Sequence, residues 1–240
     1  MLAVIDHRIP AKAKNELRRM GHRVLTIPPH PALPVPVCGH PDMLLFFAPD
    51  CIFCTKSYQK IAENELEIIS SYTKNPIKII HAEISARYPQ DILLNAAPVG
   101  KHLFCLGKHT AKELTSNSAY EVTEVHQGYA KCSVVPVGDA ALITEDPSIA
   151  TVARQRGFDV LRVRTNAVTL AGYDTGFLGG ASSYATDSDV RQILFCGNLE
   201  LHPDAAAIKA FCLGRGFDPI SLSDEPLTDV GTIFLLPMGV

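Results

Sequence analysis

"GDAALITEDPSIATVARQRGFDVLRV" (Gly138–Val163) recurs in outline as "GNLELHPDAAAIKAFCLGRGFDPISL" (Gly197–Leu222). Each reads turn glycine, short apolar strand, a helix start built from Pro and Asp, a helix, a stop glycine and a second apolar strand. Proline fits the first helical turn because its missing N–H has no intrahelical partner there. Acidic groups suit the positive N-terminus, and glycine takes the left-handed conformation beyond the last turn. Gly157 and Gly216 are those stops. "LAVIDHRIPAKAKNELRRMGHRVLTI" (Leu2–Ile27) is a third copy that stops at Gly21. Two weaker copies complete the set. One starts at His102, with a helix around Lys108–Thr115 and a strand ending near Val125; the other uses Ile52–Thr55, a helix from about Ser57 to Tyr72 and a strand from Ile77.

An extra apolar run precedes four of the copies, at "MLLFF" from Met43, "ILLNA" from Ile92, "CSVVPV" from Cys132 and "ASSY" from Ala181. The first copy lacks one, and the C-terminal "TIFLLP" from Thr232 supplies it, which pairs the two chain ends and leaves no exposed sheet edge. The expected fold is α/β: a closed five-unit pseudosymmetric α/β propeller of strand-strand-helix-strand repeats, forming a single domain over residues 1–240. An open α/β sheet uses the same elements.

Lys plus Arg number 22 against 25 Asp plus Glu, a formal charge of -3, with no long run of either sign. A nucleic-acid groove or an anionic membrane surface wants a basic excess, so neither partner is expected. The chain opens without a signal-peptide pattern and has no long apolar stretch, so a cytoplasmic protein is expected. Seven cysteines, an odd count set mostly in apolar runs, read as reduced thiols. Cys51 and Cys54 have zinc or redox spacing but no completing ligands, and read as core side chains. Oligomeric state is not legible.

In the ring, five loops occupy equivalent places before the first strands. Their polar groups converge although they are distant in sequence: Asp42, Glu83, Asp91, His126, Lys131, Asp174 and Asp229. The glycine-rich "GYDTGFLGG" from Gly172 lacks the Lys-Ser/Thr of a phosphate loop and the spacing of a dinucleotide fingerprint, so no cofactor is expected. Asp42, Asp174 and Asp229 each lie close to a glycine in corresponding loops. Three carboxylates facing one cavity suit a cation, best a guanidinium with its fixed donors.

The five-unit arrangement resembles the pentein superfamily of amidinotransferases, arginine and agmatine deiminases and dimethylarginine hydrolases. The stretches "GHPDML" (Gly39–Leu44), "QGYAKCS" (Gln127–Ser133) and "GYDTGFLGGAS" (Gly172–Ser182) are similar to those of an uncharacterised bacterial branch. The resemblance implies a guanidinium held by carboxylates, a cysteine nucleophile near the C-terminus and a histidine acid/base, placed here at His126. The chain departs from that pattern. Its last strand reads "DVGTIFLLPMGV", with Phe234 or Leu235 where the cysteine is expected, and no cysteine follows Cys212.

The leading reading is therefore a protein that binds a small cationic or guanidino compound without standard catalysis. Asp42, Asp174 and Asp229 hold the ligand, with His40 beside them and His126 and Lys131 at the rim. One alternative is an amidino hydrolase or transferase with Cys132 as nucleophile, beside the charge of Lys131, and His126 as its partner. The other is an interaction scaffold.

Overall fold

The computed structural model describes residues 1–187 and 189–239. The chain opens with β1 (Leu2–Asp6), α1 (Ala11–Arg19) and β2 (Arg23–Ile27), then α2 (Pro41–Leu44), β3 (Phe46–Phe47), β4 (Ile52–Thr55), α3 (Lys56–Ile61), α4 (Glu63–Thr73) and β5 (Ile77–Ile80). Next come β6 (Ala97–Val99), β7 (His102–Cys105), α5 (Lys112–Thr115) and β8 (Glu121–Glu124). A further module has α6 (Ala130–Ser133), β9 (Val134–Pro136), β10 (Ala141–Thr144), α7 (Pro147–Gln155) and β11 (Asp159–Arg162). The last stretch holds β12 (Ser183–Ala185), β13 (Gln192–Phe195), α8 (Ala205–Leu213), β14 (Asp218–Ser221) and β15 (Ile233–Leu236).

The repeat reappears in the sheets. β4 runs antiparallel to β3 and parallel to β5, and the same holds for β7 between β6 and β8 and for β10 between β9 and β11. The two chain ends pair: β15 lies antiparallel to β1, with Ala3 opposite Leu235, and β2 lies parallel to β1 on the other side. Each parallel step is bridged by one or two helices, as a parallel crossover requires. Gly21, Gly157 and Gly216, read as helix stops, all have positive φ, at 85°, 84° and 75°. Asp146 caps α7 by accepting the Ile149 N–H at 2.9 Å, ahead of Pro147.

The middle strands β1, β4, β7, β10 and β13 are buried apart from the first residues of β7 and β13, whereas the third strands of the modules are mostly half-buried or exposed. That is why the middle strands read as near-continuous apolar runs.

The first strands differ from expectation in three places. "MLLFF" and "CSVVPV" begin as short helices, α2 and α6, and become strand only at Phe46 and Val134. "ILLNA" is turn rather than strand, and β6 begins later, at Ala97. β12 pairs along its length with β15, in parallel, and is joined to β13 by the Ser182–Phe195 bridge just before it and by the Leu194 N–H donating to Ser183 Oγ at 2.9 Å. It therefore joins the terminal sheet, and β13 keeps only β14 as a full partner. No helix among the described residues is long and apolar enough to cross a membrane.

Candidate functional site

The starts of the first strands carry a dense cluster of buried polar groups. Pro41 opens α2 and places Asp42 in its first turn, where the Asp42 N–H donates to the Gly231 carbonyl at 3.1 Å. Lys131 and Cys132 lie on α6, and both of their N–H groups donate to Asn95 Oδ1, at 2.9 and 3.3 Å. Asn95 Nδ2 donates in turn to the Asp42 carbonyl at 3.2 Å. One amide thus clips α2 to α6.

Asp42 Oδ2 accepts the Thr232 hydroxyl at 2.8 Å and the Cys132 thiol at 3.2 Å. Lys131 Nζ donates to Thr232 Oγ1 at 3.2 Å and sits 5.6 Å from the centre of the Tyr184 ring. Asp42 and Lys131 are each 1% exposed. Burial pushes the Asp42 carboxyl up and the Lys131 ammonium down, while their mutual attraction opposes both shifts. Burial also drives the Cys132 thiol well above its usual range, and the negative charge of Asp42 adds to this.

A second layer lies against this cluster. Both oxygens of Asp229 accept backbone N–H groups, from Gly231 at 3.0 Å and from Phe177 at 2.9 Å. Glu145 Oε2 takes the next one, Leu178 N–H, at 3.2 Å. Two carboxylates on successive N–H groups therefore fix the inner end of the glycine-rich loop. Glu145 Oε1 is buried with no partner, and burial pushes this carboxyl up to about 7. His40 lies between Asp229 Oδ1, at 3.8 Å, and Asp6 Oδ2, at 4.0 Å, and burial lowers its pKa. Arg8 closes the chain of charges, with Nε 3.0 Å from Asp6 Oδ1 and Nη2 2.6 Å from Oδ2.

Outside this layer Tyr129 donates its hydroxyl to Asp91 Oδ2 at 2.6 Å and stacks on Phe177 with ring centres 6.2 Å apart. Tyr88 flanks Tyr129 at 5.9 Å. Asp91 Oδ1 is buried with no partner.

Of the residues read from sequence, Asp42, Lys131 and Cys132 share the inner cluster, and Asp229 and His40 lie in the adjoining layer. Lys131 is not at a rim: the counter-charge of Asp42 and the Thr232 hydroxyl make full burial tolerable. Cys132 sits in a helical turn rather than opening a strand. His126 and Asp174 are exposed and, among the described residues, make no side-chain hydrogen bond to the cluster. Asp174 is at the outer part of its loop, whose buried end is Gly176–Gly180, held against Asp229; a Cβ on Gly180 would sit 2.1 Å from Asp229 Oδ1. Asn95, Thr232, Glu145, Asp6 and Arg8 belong to the site and were not singled out from sequence. Two of them had a signal: Asp6 ends "LAVID" and Glu145 ends "ALITE", equivalent places in two copies of the repeat.

The space inside is small. Asp42 and Lys131 line a cavity of about 10 Å³ whose other walls, among them Phe47, Leu94, Tyr184 and Phe234, are apolar or aromatic. At the far ends of the first strands, around the turns at Gly100 and Gly138, lies a larger pocket of about 380 Å³. Tyr184 and Pro98 line both spaces. Among the described residues no three His, Cys, Asp or Glu side chains are grouped to hold a metal.

A family model described as "Family of unknown function (DUF6873)" matches residues 4–234. The chain belongs to that family. No curated protein matches this DUF6873 member by sequence. Among solved structures it is similar to DDAH from Pseudomonas aeruginosa, a cysteine-to-serine mutant complexed with citrulline. The TM-score is 0.52 at 10% identity, covering 93% of this chain and 91% of the other. At that identity the likeness is one of fold alone: a mixed α/β fold like that of DDAH.

Proposed function

We propose that this DUF6873 member is a pentein-type ring, its five sheets the blades of a closed propeller, that binds a small organic cation without transforming it. The pairing of β15 with both β1 and β12 supports closure, because it ties the last blade to the first. The absence of turnover rests on one observation: the Cys132 thiol is committed as a donor to buried Asp42. A nucleophile must be a thiolate, and here a thiolate would face a carboxylate in a desolvated site. His126, exposed elsewhere, is not placed to act on it, and Phe234 and Leu235 fill β15 where catalytic relatives are expected to carry cysteine.

The cation class rests on carboxylate density. Asp42 is neutralised from within by Lys131, and Asp229 is occupied by two backbone N–H groups. The ligand-facing set therefore moves outward, to Glu145 and Asp91 with their free oxygens, the aromatic faces of Tyr129 and Phe177, and Asp174 on the loop above. A guanidino compound supplies both the donors and the flat cation that such a set takes. The scaffold reading keeps one supporting observation: Val35, Tyr88 and Tyr173, on the loops around this layer, are exposed at 78%, 50% and 50%.

Calorimetric titration with arginine, agmatine and methylated arginines, run beside an assay for released ammonia, amine or citrulline, separates the readings. Binding without product is the expected result. Product formation overturns the non-catalytic half of the proposal, and failure to bind any of these compounds overturns the guanidino half and leaves the scaffold.

A further inference from the structure

We propose that the small buried cavity beside Asp42 holds a single water molecule that accepts from Lys131 Nζ and donates to Asp42 Oδ1. The inference stands apart from the ligand reading, because it concerns groups that no ligand reaches. Asp42 Oδ1 is buried and has no protein partner, although Oδ2 has two. Leaving a carboxylate oxygen dry in this way is costly. Lys131 Nζ has three donors; one goes to Thr232 Oγ1 at 3.2 Å, a second reaches the Val134 carbonyl only at 3.5 Å, and a third is unused. Both residues line the same cavity, whose volume of about 10 Å³ is that of one water position and no more. The remaining lining side chains are apolar or aromatic, so Lys131 Nζ and Asp42 Oδ1 set the orientation of the water.

The consequence is that three of the roughly four lone-pair sites of Asp42 are taken. Thr232, Cys132 and the water use both oxygens, and the lysine ammonium takes the place of an external cation. A guanidinium has no room to bind there, and Asp42 with Lys131 forms an internally hydrated ion pair instead of a ligand channel. Tyr184, with one face toward Lys131, also lines the larger pocket beyond.

A high-resolution crystal structure of the wild-type protein, together with water magnetic relaxation dispersion in solution, tests this. The expected result is one density peak within about 2.7–3.2 Å of both Asp42 Oδ1 and Lys131 Nζ, and one long-lived water that disappears in the double variant Asp42→Asn/Lys131→Met. A dry cavity, a direct Lys131–Asp42 Oδ1 contact, or an occupant larger than water overturns the proposal. So does a long-lived water at this site that persists unchanged in the double variant, since the two charges would then not be what holds it. The wild-type measurements decide the matter even if that variant does not fold.

Discussion

Cys132 Sγ lies 3.2 Å from Asp42 Oδ2, its thiol donating to a carboxylate 90 residues away in sequence. The contact fixes the chemical state of the sulfur, because losing the proton would set two buried anions against each other. All seven cysteines are free, and only Cys38 is partly exposed. With a thiol reagent at neutral pH under native conditions, Cys38 is expected to react first, and Cys132 on the order of 100-fold more slowly, through opening of the fold. Peptide mapping after timed alkylation measures this. Rapid labelling of Cys132 would restore the hydrolase reading.

Lys131 gives the second expectation. Its partner Asp42 stays buried when the lysine is replaced, so Lys131→Met should destabilise the protein by about 3 to 5 kcal/mol, the cost of a buried charge left unpaired. Adding Asp42→Asn removes that charge while keeping an acceptor for Thr232 and Cys132. The double variant should recover most of the loss in a urea titration. If the single and double variants are equally unstable, the methylene packing of Lys131, and not its charge, is what matters.

The fold was more legible than the site. Proline at helix starts and glycine at helix stops are local signals, so the strand-helix-strand repeat could be read within each copy. The entries to the first strands were misread because "MLLFF" and "CSVVPV" are continuous apolar runs, and period alone cannot tell a buried turn of helix from a buried strand. Asn95 sits in a similar run, "ILLNA", and its clip between α2 and α6 depends on partners from two other loops. Nearness to glycine marks a loop but not which of its residues faces inward, and Asp229 is buried whereas Asp174 is exposed. The burial of Lys131 was hidden because its support comes from Asp42 and from Thr232, 190 residues from Asp42.

Glu145 should make stability depend on pH. Its folded pKa of about 7 lies above the usual carboxylate value, 4.5, chiefly through burial. The folded state then holds the proton more tightly than the unfolded state does. Its contribution is fully present below about 4.5 and is lost as pH rises through about 7. Glu145→Gln keeps an acceptor for the Leu178 N–H and cannot ionise. The variant should match the wild type near pH 4.5 and exceed it by up to about 3 kcal/mol above neutrality. Paired urea titrations across that window give the difference directly; a constant offset at every pH would show that Glu145 does not titrate there.

Asp229 and Asp174, read from sequence as equivalent ligand carboxylates, should now behave oppositely. Asp229→Ala leaves the N–H groups of Phe177 and Gly231 without acceptors in a buried place, so a loss of about 3 kcal/mol is expected, with local loosening of Gly176–Gly180 visible in hydrogen exchange. Asp174 is exposed and makes no side-chain hydrogen bond among the described residues, so Asp174→Asn should change stability by no more than about 0.5 kcal/mol. Binding is the discriminating readout for Asp174. If it faces the bound cation from the loop, Asp174→Asn should weaken arginine or agmatine binding, though by no more than about 1 kcal/mol because an exposed charge is screened by solvent, and the weakening should shrink as salt is raised. If Asp174→Asn binds as well as wild type at low salt while Glu145→Gln does not, the site lies wholly in the layer of Glu145, Asp91 and Tyr129, and Asp174 is a solvated turn residue.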